Sequence, residues 1–228
     1  MHNPATPTPD EYWGALEPHV RGFSDERRVA VVLYRELAKG GPVDEAQLGR
    51  SLGLCTEGVR KLLNRDTLKH FIHSDREGRI IGFGGLATVP MHHRFQVAGR
   101  DLWTWCAWDS LFIPEILGRR ARVASRDPEG RELVRLVVTP ERIETVEPNQ
   151  TVISFIGPDA QAFSASATDV MAKFCHFIFF FTSRSSGERW IGKNPGTFLY
   201  PLDDAFALAK RFNAHNFGPE LARGAKAG

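Results

Sequence analysis

Leu102-Trp103-Thr104-Trp105-Cys106-Ala107-Trp108-Asp109-Ser110-Leu111-Phe112-Ile113-Pro114 is the stretch on which the chain turns. It holds one of the three cysteines, set among three tryptophans, with a carboxylate three residues further on. If Cys106 opens a helix, Asp109 shares its face, because i and i+3 are neighbours there. The unpaired N–H groups of a helix start also stabilise a thiolate. Pro114 marks a bend or a stop. Read this way, the segment presents a soft nucleophile beside a proton carrier, walled by aromatic rings. The other reading makes Cys106 an inert buried thiol and Asp109 a cap or a surface charge.

Upstream the signals are helical. The Pro- and Thr-rich residues 1–9 read as a loose arm, and Tyr12, Trp13, Leu16 and Val20 recur at helical spacing. Ser24-Asp25-Glu26-Arg27 is an N-cap signature, followed by the apolar face of Val29, Val32, Leu33 and Leu37. A second helix starts near Val43, and a third runs from Thr56 to Leu63. Phe71-Ile72-His73 and Ile80-Ile81-Gly82-Phe83 flank a polar Gly turn, which is a β-hairpin signal. Three helices and a hairpin make a winged-helix-like module over residues 21–90, behind an N-terminal arm of residues 1–20. Such a module binds DNA through its third helix, or serves as a structural piece of the same shape. Cys55 reads as a buried packing residue, and His92-His93 as an ordinary connector loop.

Downstream the pattern changes to strands. Arg94–Val97, Ala121–Ser125, Glu132–Val138 and Val152–Phe155 are candidates, separated by turns such as Asp127-Pro128-Glu129-Gly130. Asp169–Lys173 is a helical turn or a loop. Phe174-Cys175-His176-Phe177-Ile178-Phe179-Phe180-Phe181 is apolar at nearly every position, which predicts a strand buried on both faces with Cys175 at its start. Residues 185–196 read as loop, residues 202–215 as a last helix, and residues 218–228 as a flexible tail. The expected class is α+β: the winged-helix-like module, then a mixed, mainly antiparallel sheet domain with flanking helices over residues 91–217.

Composition narrows the function classes. A chain of 228 residues, 42% apolar and 25% charged, can bury a proper core. A formal net charge of +2 gives no electrostatic mandate for nucleic acid. Three widely spaced cysteines argue against a disulfide scaffold and for free thiols in a reducing cytoplasm. The apolar run at residues 177–181 is too short to span a bilayer.

These residues together resemble the organomercurial lyase (alkylmercury lyase) family. The likeness is carried by Trp105-Cys106-Ala107-Trp108-Asp109-Ser110-Leu111, Val146-Glu147-Pro148 and Phe174-Cys175-His176 with the phenylalanines after it. Trp190, Lys193, Gly196, Ala205-Phe206 and Phe212-Asn213 continue it. The resemblance spans roughly residues 24–217. It implies a catalytic pair Cys106 and Cys175, a catalytic Asp109, and a winged-helix-like module that does not read DNA. Some members carry a cysteine directly after the second catalytic one, where this chain has His176, and another near Arg126, where it has none. Those are accessory thiols, and their loss leaves Cys55 as the one spare.

The implied chemistry suits the residues. Mercury(II) is soft, and thiolates are the soft ligands that select such ions. A second thiolate on the mercury of an organomercurial polarises the Hg–C bond towards a carbanion-like carbon. Asp109 takes a proton from a thiol and delivers it to that carbon, as one positioned acid–base group. Hg(II) then remains on Cys106 and Cys175, with Asp109 as a weaker oxygen ligand. Small-molecule thiols, or a mercuric reductase, would take the product. No organic cofactor, nucleic acid or membrane is called for. Two alternatives remain: a winged-helix mercury-sensing transcriptional regulator, and a conventional cysteine-nucleophile enzyme. The latter needs a base such as His176, which a strand would point away from Cys175.

Overall fold

The computed structural model describes residues 6–20, 26–158 and 166–224. The chain begins with α1 (Pro9–Leu16), opened by a capping box between Thr8 and Glu11. Residues 6–8 are not loose: the Tyr200 hydroxyl donates to the Pro7 carbonyl at 2.7 Å. After a 3-10 turn at Glu17–His19 comes α2 (Arg27–Leu37), entered from Glu26. The expected cap at Ser24 lies outside the described residues. Next are α3 (Glu45–Leu52), capped by Asp44 through the Gln47 N–H at 2.6 Å, and α4 (Thr56–Leu63), whose bounds are those expected. A single turn, α5 (Asp66–Lys69), leads to the hairpin of β1 (Ile72–Ser74) and β2 (Ile80–Phe83). Val43 is stitched to Ile80 by two backbone hydrogen bonds of 2.9 and 2.8 Å. Three helices and a hairpin therefore follow in the order the sequence suggests.

The hairpin does not stand apart. β3 (Leu86–Ala87), β4 (His93–Val97), β5 (Arg100–Thr104), β6 (Ala121–Arg126), β7 (Leu133–Val138) and β8 (Ile143–Glu147) join it in one eight-stranded sheet. Its order is β1-β2-β3-β5-β4-β6-β7-β8, and every neighbouring pair is antiparallel. The position near residue 90 at which composition suggests a boundary thus falls inside a continuous sheet. His93 is no loop residue. Strand alternation puts it on the core side with Phe95 and Val97, and its Nδ1 lies 2.7 Å from Ser125 Oγ on the paired β6. Burial, and then the nearby His92, hold the His93 imidazole well below its usual pKa.

The rest of the chain builds the opposite layer. α6 (Asp109–Leu117) is buried on nearly all sides and packs chiefly on the last helix, α9 (Leu202–Gly224). Between them come β9 (Val152–Ile156), α7 (Ala167–Lys173), β10 (Phe180–Phe181), α8 (Arg184–Ile191) and β11 (Thr197–Pro201). β10, β9 and β11 form a second, antiparallel sheet in that order. Three expectations are corrected here. Residues 174–181 are not one strand: Cys175–Phe177 is a 3-10 turn and only Phe180–Phe181 pairs. An unbroken apolar run signals burial, not extension, so a buried turn gives the same reading. Residues 184–191 are a helix, capped by Ser183 through the Ser186 N–H, although Ser and Gly suggested a loop. The last helix continues to Gly224 and so includes most of the supposed tail.

Candidate active site

Cys106 lies where β5 hands over to α6. The strand ends at Thr104, whose hydroxyl donates to the Cys106 carbonyl at 2.8 Å. The Trp105 N–H donates to Gly85 at 2.8 Å, and the Ala107 N–H to Ile178 at 3.1 Å. Cys106 therefore occupies a bend and does not open the helix; α6 begins only at Asp109. The expected i, i+3 proximity is kept, because Asp109 Oδ2 accepts the Cys106 N–H at 2.7 Å.

Cys175 arrives from the other side, in the 3-10 turn after α7. Ser154 on β9 holds the segment that follows: its Oγ donates to the Phe177 carbonyl at 2.7 Å and accepts the Phe179 N–H at 3.0 Å. The Ala107–Ile178 bond ties the two cysteine segments together. One sulfur each from Cys106 and Cys175 and one oxygen from Asp109 all lie within 4.8 Å of one another. All three residues are buried. The 69-residue separation of the cysteines is closed by the β9–β10 pairing and this backbone link.

Asp109 and Cys175 line a narrow cavity of ≈ 50 Å³, walled by Tyr34, Trp105, Trp108, Phe112, Phe174 and Phe212, with Cys106 buried behind them. Trp108 is fixed by an indole bond to the Ala205 carbonyl at 3.1 Å and packs edge-on against Phe112 and Phe212. Trp103 is a strand residue outside this wall. The cavity's apolar lining sets the electrostatics. Burial pushes the Asp109 carboxyl up to about 7, against the lowering pull of its bonds to Cys106. Burial likewise drives the Cys106 thiol well above its ordinary value, helped by Cys175 and Asp109. For Cys175, the largest influence is the neighbouring Cys106 thiol, which lowers it. Burial and the Asp109 charge outweigh that and leave it raised. All three groups can thus carry protons near neutrality, and two thiols with a carboxyl form a donor set for a soft ion.

Cys55 is exposed at the start of α4, not buried as expected. His176 is exposed in the 3-10 turn beside Cys175 and has no buried base position. Residue-type reasoning missed Tyr34, Gly84 and Gly85, which back the trio. The Gly84-Gly85 doublet between two apolar runs was the available signal, since such pairs mark tight turns.

A family model described as alkylmercury lyase matches residues 86–213. The alkylmercury lyase of Staphylococcus epidermidis is 36% identical over 182 residues, covering 80% of each chain. That of Pseudomonas putida is 37% identical over 178 residues, covering 78% of this chain and 79% of its own. That of Streptomyces lividans is 36% identical over 180 residues, 78% of each. Among solved structures, the crystal structure of the mercury-bound form of MerB2 shares the fold, with a TM-score of 0.64. It is 21% identical and covers 90% of this chain and 96% of that one.

Proposed function

Because the chain belongs to the alkylmercury lyase family and is an alkylmercury lyase, we propose that it cleaves organomercurials by protonolysis at Cys106, Asp109 and Cys175. The observation that carries this reading is the convergence of two buried thiols and one carboxyl within 4.8 Å, beside an aromatic-walled cavity that Asp109 and Cys175 line. One thiol displaces the labile ligand X of R–Hg–X, forming S–Hg–R, and X leaves with the thiol proton as HX. The second thiol then adds to the same mercury, and its proton passes to the Asp109 carboxylate. Metal binding makes this deprotonation favourable despite the raised thiol pKa values. The acid form of Asp109 gives that proton to carbon. R–H departs, the Hg–C bond is broken, and Hg(II) stays on two thiolates. An acid near pH 7 is matched to both halves of that shuttle at neutral pH.

The aromatic wall suits alkyl and aryl groups, which gain about 25 cal/mol per Å² on leaving water. Small-molecule thiols, or a mercuric reductase, are the acceptors we assign to the Hg(II). No organic cofactor takes part in this scheme. No helix among the described residues is long and apolar enough to cross a membrane.

The winged-helix-like module of residues 21–90 is read as a structural partner of the catalytic residues 91–217, not as a DNA reader. In support, the cations on and beside α4 are engaged by acids: Arg60 with Glu45 and Glu57, Lys61 with Glu57, Arg65 with Glu26. Phosphate binding would have to break those pairs. The regulator alternative has no such support.

Single-turnover release of benzene from a phenylmercury salt tests the assignment. Cys106→Ser and Cys175→Ser should each abolish it, and Cys55→Ser should retain the wild-type rate. Full activity in either of the first two would refute the two-thiolate scheme.

A further inference from the structure

On the side away from Cys106, the Asp109 carboxyl packs against the backbone of a glycine turn. Gly84 and Gly85 form the turn between β2 and β3, with φ of +50° and +100°. A Cβ built on Gly85 would lie 2.5 Å from Asp109 Cγ and Oδ1, so only a glycine leaves room for the carboxyl there. A Cβ on Gly84 would fall on the Tyr34 hydroxyl. That hydroxyl donates to the Gly84 carbonyl at 2.6 Å, from a Tyr34 side chain that is almost wholly buried on α2. From the other side, Gly85 accepts the Trp105 N–H, one residue before Cys106.

We infer that Tyr34 is a positioning residue for the reaction: it latches the Gly84-Gly85 turn as a floor that holds the Asp109 carboxyl towards the two sulfurs. This rests on the proton-shuttle reading of Asp109. The latch comes from the N-terminal helices, and so gives that part of the chain a task in catalysis. Fixing an acid is worth much, because a displacement of about 1 Å at a reacting group costs on the order of 100-fold in rate.

The test is a double-mutant cycle in the full chain, read by single-turnover benzene release and by mercury retention. Tyr34→Phe keeps the ring contacts with Phe83 and Phe217 and removes only the hydroxyl. It should slow hydrocarbon release about tenfold while both thiols still retain mercury stoichiometrically, and should displace the pH profile of the rate. Gly84→Ala should be slower still. Adding Tyr34→Phe to it should restore part of the rate, because the clash is with the hydroxyl; independent sites would only add their losses. A merely structural tyrosine would lower thermal stability and leave the pH profile where it was. The latch is overturned if Tyr34→Phe keeps the wild-type rate and pH profile, or if the double variant is no faster than Gly84→Ala. If the wild type itself released no benzene, the lyase scheme would fall. The latch would then be judged by crystal structures of both proteins: an Asp109 carboxyl still seated against Gly85 in Tyr34→Phe refutes it, a displaced one supports it.

Discussion

Asp109 is a carboxyl whose role and whose effect on stability come from the same burial. Desolvation raises it to about 7 even though it accepts the Cys106 N–H at a helix start, where dipoles favour the charged form. If it shuttles the proton, Asp109→Ala and Asp109→Asn should still bind a phenylmercury salt through the thiols, yet release benzene about 100- to 10,000-fold more slowly. The amide keeps the shape and the bond to Cys106 but cannot carry the proton. A residue that only capped the helix would behave oppositely, since Asn caps as well as Asp; a wild-type rate in Asp109→Asn would end the shuttle assignment. Stability separates the two variants further. The folded carboxyl holds its proton more tightly than the unfolded one, so its stabilising effect is complete below the ordinary value of 3.8 and is lost as pH rises through about 7. Asp109→Asn has no such dependence. It should therefore gain on the wild type across that window, by an upper bound of about 4 kcal/mol. Denaturant unfolding of both proteins at about pH 5 and 8 measures it, and a gap that does not widen towards high pH would contradict a buried, raised carboxyl.

The elements around the site are held by backbone bonds that side-chain patterns do not reveal. Ser154 is the clearest case: one hydroxyl satisfies both the Phe177 carbonyl and the Phe179 N–H, and its own N–H donates to the Phe179 carbonyl. Ser154→Ala leaves two backbone groups without their partner, at about 1–3 kcal/mol each. The variant should lose roughly that order in stability and should also slow benzene release, since the Cys175 turn loses its brace. Unfolding and single-turnover assays on one sample check both, and a slower rate without lost stability would assign Ser154 some other part. The same region marks the limit of what the sequence could tell. α4, the hairpin, and strands β4, β6, β7 and β9 were legible within a residue or two, because capping, turn and alternation signals agree there. The trio Cys106, Asp109 and Cys175 was legible because a resemblance named it; spacing alone left Cys106 an ordinary buried thiol. The turn carrying Cys175 was illegible as a turn, since Phe174–Phe181 is apolar at every position but His176 and no Gly, Pro, Asn or Asp punctuates the run. β8 was missed for the converse reason: it is a half-exposed edge strand with little apolar alternation. Tyr34 was not among the apolar-face residues read for α2, and only the folded chain brings its hydroxyl to Gly84.

At the scale of the molecule, residues before and after position 90 share one sheet and one core. β3 bridges the hairpin strand β2 to β5, the strand that delivers Trp105 and Cys106. Tyr12 on α1 donates to the Ile156 carbonyl at 2.9 Å and packs edge-on against Phe155, Phe198 and Tyr200 of the second sheet. Tyr34 packs on Phe217 of α9 and latches the turn beneath Asp109. Removing residues 1–90 would therefore strip β5 of β3, one of its two partners, uncover the aromatic face of the second sheet, and leave Trp105 and Asp109 without their floor. Burial of Tyr12, Tyr34 and Leu86 is worth about 1.5–3 kcal/mol each. Their sum alone is comparable with the roughly 5–15 kcal/mol that stabilises a whole domain. The exposed β5 edge would add a template for aggregation. A fragment of residues 91–228 should accordingly be insoluble, or soluble without a cooperative thermal transition, and should release no benzene from phenylmercury. The full chain should unfold in one transition. Circular dichroism melts and the benzene assay on both proteins decide it: a fragment that melts cooperatively and turns over would show that the N-terminal helices are dispensable to fold and site alike.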